Sequence, residues 1–212
     1  QVKKRVLRLP EPPGDRAGVI GEGPALSVLI VGDSSGAGVG ASHQDEALLG
    51  QAVGRLAASH RVTFQLIAKT GATTRSTLRR LEREPRRAFD IAVTALGVND
   101  VIAGRSLNTW RSEQRLLLGR LREQFGAGTV IVSGLPPVSE FPALPQPLRW
   151  YLGRRAQDFD DALRALAEEE GAQYLPLDFD LDVTAMATDG FHPGPPAYAE
   201  WGRAATGLLE RT

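Results

Sequence analysis

Three short stretches of the chain carry side chains that together could transfer an acyl group. Gly32-Asp33-Ser34-Ser35-Gly36-Ala37-Gly38 places a hydroxyl among small residues. Asp189-Gly190-Phe191-His192-Pro193 places a carboxylate and an imidazole three residues apart. Serine hydrolysis needs a base within hydrogen-bond reach of the hydroxyl, and an acceptor that holds the base's other ring nitrogen. Asp189 and His192 can meet the second requirement within one loop. The third stretch, Leu96-Gly97-Val98-Asn99-Asp100, offers a carboxamide donor for a developing oxyanion. On its own, Asn99 reads first as a turn residue. In Thr70-Gly71-Ala72, Gly71 could present its backbone N–H, or simply turn the chain.

The Ser34 stretch has rival readings. A P-loop ends in Gly-Lys-Ser/Thr, and no lysine stands here. A dinucleotide loop needs G-x-G-x-x-G, whereas Gly36, Gly38 and Gly40 are spaced by two. Gly32-x-Ser34-x-Gly36 does fit the nucleophile elbow of α/β-hydrolases. That fold requires a strand and an oxyanion loop upstream, where this chain has a Pro-rich arm. Chymotrypsin-like proteases place their histidine before the serine, and no histidine precedes Ser34. His43 and His60 compete with His192 for the role of base. His43 reads as surface, and His60 as a helix C-terminal residue.

The elements that must position these residues follow from hydropathy. Short apolar runs at 26–31, 62–68, 89–96, 129–133 and 173–177 predict five strands. Helical periodicity predicts helices over 44–60, 74–83, 109–125, 150–170 and 196–209. Strands alternating with helices predict an α/β fold with a five-stranded parallel sheet covered on both faces. In such sheets ligands bind beyond the carboxyl ends of the strands. Ser34, Gly71 and Asn99 follow the first three strands, and Asp189 and His192 precede the last helix. The topology therefore predicts that all five meet at one edge.

With their order and spacing, these blocks resemble the SGNH, or GDSL, hydrolases from residue 26 to 210. Gly32-Asp33-Ser34 is similar to the family's first block and Gly71 to its second. Gly97-Val98-Asn99-Asp100 is similar to its third, and Asp189-Gly190-Phe191-His192 to its fifth. Ser35 stands where the family's common name expects Leu, and Lys69-Thr70 precedes Gly71 in place of the commoner Asn. The resemblance implies a flavodoxin-like three-layer α/β/α sandwich with strand order 2-1-3-4-5. It implies Ser34 as nucleophile, His192 as base and Asp189 as its partner. The oxyanion hole would comprise the N–H of Ser34, the N–H of Gly71 and the Asn99 amide. The implied activity is a serine esterase acting on short- to medium-chain acyl esters. An acyltransferase or a carbohydrate deacetylase would use the same site. A non-catalytic module binding acyl ligands is the reading from another class, and a paired base and orienter is more than binding needs. Asp33, Val101, Ile102, Pro136 and Phe191 adjoin these motifs and are expected as substrate-binding residues.

Bulk properties narrow the partners. The chain has 212 residues, 25 Lys plus Arg and 25 Asp plus Glu, so no net field favours nucleic acid. There is no cysteine, hence no disulfide or thiolate chemistry. No run approaches the roughly 20 apolar residues of a bilayer span, so stable membrane insertion is not expected. No His and carboxylate cluster has ligand spacing, so neither metal nor organic cofactor is implied. The expected partner is a small-molecule ester. Residues 1–24, with Lys3, Lys4, Arg5, Arg8 and several prolines, read as an extended arm, and 25–212 as one hydrolase domain. The chain begins with Gln1 rather than Met, so a signal or anchor ahead of it is an open expectation. Neither compartment nor oligomeric state is assigned.

Overall fold

A computed structural model describes residues 9–177 and 185–209. The basic residues 3–8 of the arm lie outside that range. The strands are β1 (Ala17–Ile20), β2 (Ala25–Gly32), β3 (Arg61–Ala68), β4 (Ile91–Ala95), β5 (Thr129–Ser133) and β6 (Gln173–Leu175). The helices are α1 (Leu48–Leu56), α2 (Thr74–Leu81), α3 (Val98–Ile102), α4 (Leu107–Glu123), α5 (Leu148–Glu169) and α6 (Pro195–Leu209). The strands form one sheet in the order β1-β3-β2-β4-β5-β6. Strands β2 to β6 are parallel, and β1 runs antiparallel to β3.

The five predicted strands thus take the expected order, and a sixth joins them from the arm. Ala17 to Ile20 pair with Gln65 to Val62. Strand β3 would otherwise expose a row of unpaired backbone groups, and β1 covers it. Four residues that are mostly exposed carry no alternating pattern, so this strand left no hydropathy signal. The arm is anchored further by Glu11, whose carboxylate accepts from Thr70 N–H at 2.7 Å and from Thr70 Oγ1 at 2.8 Å. Arg16 pairs with Glu11 and donates to the carbonyl of Ala68 at 3.1 Å.

Alternation along the strands divides the core in two. Leu29, Val31, Ala92, Val130 and Val132 face α2, α4 and α5, where Leu78, Leu81, Trp110, Leu117, Leu121, Phe159 and Leu163 bury against them. Val28, Ile30, Val93 and Ile131 face α1 and α6, where Leu48, Leu49, Val53, Tyr198 and Trp201 close the other side. This is a three-layer α/β/α sandwich. Burying an aliphatic or aromatic side chain stabilises by ~1.5–3 kcal/mol, so the two layers fix where each strand ends. A capping box holds the start of α2, with Thr73 Oγ1 accepting from Ser76 N–H and Ser76 Oγ from Thr73 N–H. Hydropathy predicts no separate helix at Val98–Ile102, yet a five-residue turn of helix forms there and carries Asn99.

Candidate active site

Strand β2 is central, and its last residues are the most buried part of it. The chain leaves it through a turn in which Ala37 N–H donates to the Asp33 carbonyl at 2.8 Å and Val39 N–H to the Ser34 carbonyl at 3.0 Å. Gly32 and Gly36 are in contact across this turn. A Cβ on Gly36 would meet Gly32 Cα at 2.7 Å, so only glycine allows the turn to be this tight. Ser34 is 6% exposed, and its N–H has no hydrogen-bond partner among the described residues.

The loop before α6 brings the base. Ala187 N–H donates to the His192 carbonyl at 2.9 Å and Gly194 N–H to Ala185 at 2.7 Å, which closes the loop on itself. Gly40, at φ +105°, lets Pro193 approach: a Cβ there would stand 2.1 Å from the Pro193 carbonyl oxygen. The Ser34 turn and this loop are thereby pressed together. His192 Nε2 lies 2.9 Å from Ser34 Oγ, and His192 Nδ1 lies 2.6 Å from Asp189 Oδ2. Asp189 Oδ1 also accepts from the N–H groups of Phe191 and His192, both at 3.0 Å. Burial pushes the Asp189 carboxyl up, but these donors and the imidazole outweigh it and hold it below the usual carboxylate range. His43 and His60 bond locally instead, to Asp45 at 3.0 Å and to Ser59 Oγ at 2.9 Å.

Asn99 and Asp33 complete the wall on the other side. Asn99 Nδ2 donates to the Ala72 carbonyl at 3.1 Å and to Asp33 Oδ2 at 3.2 Å. Asp33 Oδ1 accepts from Ser35 N–H at 3.0 Å. Desolvation raises the Asp33 carboxyl to about 7, against the donors of Ser35 and Gly36, and the nearby Asp100 adds to the rise. Gly71 is exposed, at φ +77°, in the loop whose next residue is bonded to Asn99. Its N–H has no partner among the described residues. That loop is anchored by Asp100, which accepts from Thr74 N–H at 3.0 Å and Thr74 Oγ1 at 2.9 Å.

An apolar cavity opens beside Ser34 and Asn99, lined among others by Leu96, Leu135, Phe141, Met186, Phe191 and Trp201. Asp33 and Pro136 also line it. Val101 and Ile102 do not. Val101 is 1% exposed and packs into the core beneath α3, whereas Ile102 faces solvent at 47%. A helix turns successive residues by about 100°, so the run Val98 to Ile102 cannot present every side chain to one cavity. Val98 and Asn99 take that place. Met186, Leu177 and Trp201 were not singled out from the sequence. Trp201 had a signal in the helical spacing of the buried Ala197, Tyr198, Trp201 and Ala205. Among the described residues no three His, Asp or Glu side chains gather where a metal ion could be held.

The sequence matches the family described as GDSL-like lipase/acylhydrolase over residues 30–200. The chain belongs to this family. It is an SGNH hydrolase, and it hydrolyses carboxylic esters. No curated protein matches it. Among solved structures it is similar to TesA, at 22% identity and a TM-score of 0.66, covering 87% of this chain and 98% of that one. The lipase Lip_vut3 from a goat rumen metagenome superposes with a TM-score of 0.72 at 17% identity, over 86% of this chain and 96% of its own. The acetylxylan esterase Axe2 from Geobacillus stearothermophilus does so with 0.68 at 18%, over 88% and 95%. In this hydrolase Ser34 and Asn99 follow the carboxyl ends of β2 and β4. No helix among the described residues is long and apolar enough to cross a membrane.

Proposed function

We propose that this hydrolase cleaves short- to medium-chain acyl esters through Ser34, His192 and Asp189. The observation that carries the reading is the unbroken run of contacts from Asp189 through the imidazole to Ser34 Oγ, at 2.6 Å and 2.9 Å. Neutral His192 takes the Ser34 proton as Oγ attacks the ester carbonyl. Asp189 holds Nδ1–H, which fixes the tautomer and stabilises the imidazolium that forms. The alcohol leaves after protonation by His192, and water repeats the sequence on the acyl-enzyme. The oxyanion is received by the N–H of Ser34, the N–H of Gly71 and the Asn99 amide. Among the described residues two of these three donors have no partner, which suits that role.

The acyl chain enters the cavity beside Ser34. Its walls are mostly apolar, and Phe141 meets Phe191 edge-on at 5.2 Å within its lining. Phe191 in turn packs edge-on against His192 at 5.2 Å, so the acyl pocket and the base share a wall. The likeness to Axe2 raises a second reading, removal of acetyl groups from a carbohydrate. An apolar lining favours an alkyl chain over acetyl, since each buried methylene adds ~0.8 kcal/mol of binding. A panel of p-nitrophenyl esters from acetyl to palmitoyl, run beside Ser34→Ala, tests the proposal. Turnover is expected to peak between butyryl and octanoyl and to vanish in the variant. Full activity of Ser34→Ala, or a maximum at acetyl or palmitoyl, contradicts it.

A further inference from the structure

Both amide protons of Asn99 are already committed. The Ala72 carbonyl can only accept, so the NH2 group of Asn99 must face it, and the same nitrogen reaches Asp33 Oδ2. No amide proton is left over for an oxyanion. Of the two acceptors, Ala72 belongs to a loop tied to α3 through Thr74 and Asp100. Asp33 is the residue adjoining the nucleophile and lines the cavity where the substrate carbonyl must lie. Its bond to Asn99 is the longer of the two.

Asp33 is otherwise hard to account for. Its carboxyl is 5% exposed, and no Lys or Arg pairs with it among the described residues. Burying a carboxyl without a cation is costly in any fold. On the turn side the carboxylate accepts from Ser35 N–H through Oδ1 and from Gly36 N–H. The second oxygen has one side-chain contact, Asn99.

We infer that Asp33 is a positioning residue: in the empty site it accepts the Asn99 amide proton that the oxyanion takes over during acyl transfer. Asp33 thus keeps the donor aimed before charge develops, so that little reorganisation is left for the reaction itself. The inference rests on the reading of Asn99 as an oxyanion donor. It assigns Asp33 no bond-making role.

The geometry sets a demanding test. Asp33 must offer one oxygen to Ser35 and another to Asn99. Asparagine has the same shape and one oxygen only, so Asp33→Asn satisfies either Ser35 or Asn99 and turns an NH2 toward the other. Asp33→Asn and Asp33→Ala are both expected to lower kcat about 10-fold with KM changed less than about 2-fold. Combined with Asn99→Ala, either substitution is expected to add less than about 2-fold, because its partner is gone. Full activity of Asp33→Asn would show that only shape matters at this position and would overturn the inference. So would losses that multiply in the double variants. An Asn99→Ala enzyme with unchanged kcat would instead remove the oxyanion reading itself, and this inference with it.

A measurement on the unsubstituted enzyme does not depend on how the variants fold. The side-chain amide of Asn99, assigned by 15N NMR, is followed before and after Ser34 is phosphonylated by a fluorophosphonate. One of its two proton resonances is expected to move while the other, bonded to Ala72, stays. Two unmoved resonances contradict the exchange.

Discussion

Two carboxylates flank the reacting atoms, and their surroundings drive them in opposite directions. Asp189 accepts two backbone N–H groups and the imidazole on a loop folded back on itself, and it is held below the usual range. Asp33 sits at the end of the central strand, buried, near Asp100 and with no paired cation among the described residues, and it is raised to about 7. Burial acts on both, and the neighbouring charge differs in sign: the imidazole lowers Asp189, whereas Asp100 raises Asp33. One carboxylate is kept charged beside the imidazole. The other is carried at a cost to stability beside a donor that must stay aimed.

The largest effects should come from the Asp189 side. His192→Ala is expected to lower kcat by about 10⁵-fold or more, and Asp189→Asn by about 10⁴-fold, measured on a butyryl ester. A loss of less than about 10-fold for either would detach the loop from the chemistry. The pH profile sharpens the contrast. Because Asp189 stays charged where an ordinary aspartate titrates, kcat/KM should show no proton step at about pH 4. A step there would contradict this.

On the Asp33 side the expected change is in stability. Its folded carboxyl binds a proton more tightly than the unfolded chain does. That contribution is complete below the ordinary value of 3.8 and is lost as pH rises to about 7. The melting temperature of the parent should therefore drop more between pH 5 and pH 8, read roughly across that window, than that of Asp33→Asn. Equal drops would show that Asp33 does not titrate in this interval. The smallest effect belongs to Ile102→Ala, on an exposed side chain outside the cavity, where kcat/KM should change less than about 2-fold.

The difference between the two regions also separates what local sequence can carry from what it cannot. Asp189 and His192 meet through a spacing of three residues on one loop, which is visible in the letters. The apolar runs 26–31 and 89–96 end within a residue of β2 and β4, so the edge where Ser34 and Asn99 stand was legible as well. The bond between Asp33 and Asn99 spans 66 residues and depends on the register of Gly32 against Ala95. No periodicity encodes such a contact. Val101 and Ile102 were misplaced because the residues after β4 form a helical turn, which sends neighbouring side chains in different directions. Strand β1 escaped notice because it supplies pairing to an edge rather than side chains to the core.

The most direct measurement is mass spectrometry of the protein after treatment with a fluorophosphonate. A single adduct on Ser34 is expected, formed rapidly in the parent and far more slowly in His192→Ala. An adduct on another serine, or an equal rate without the imidazole, would contradict the account.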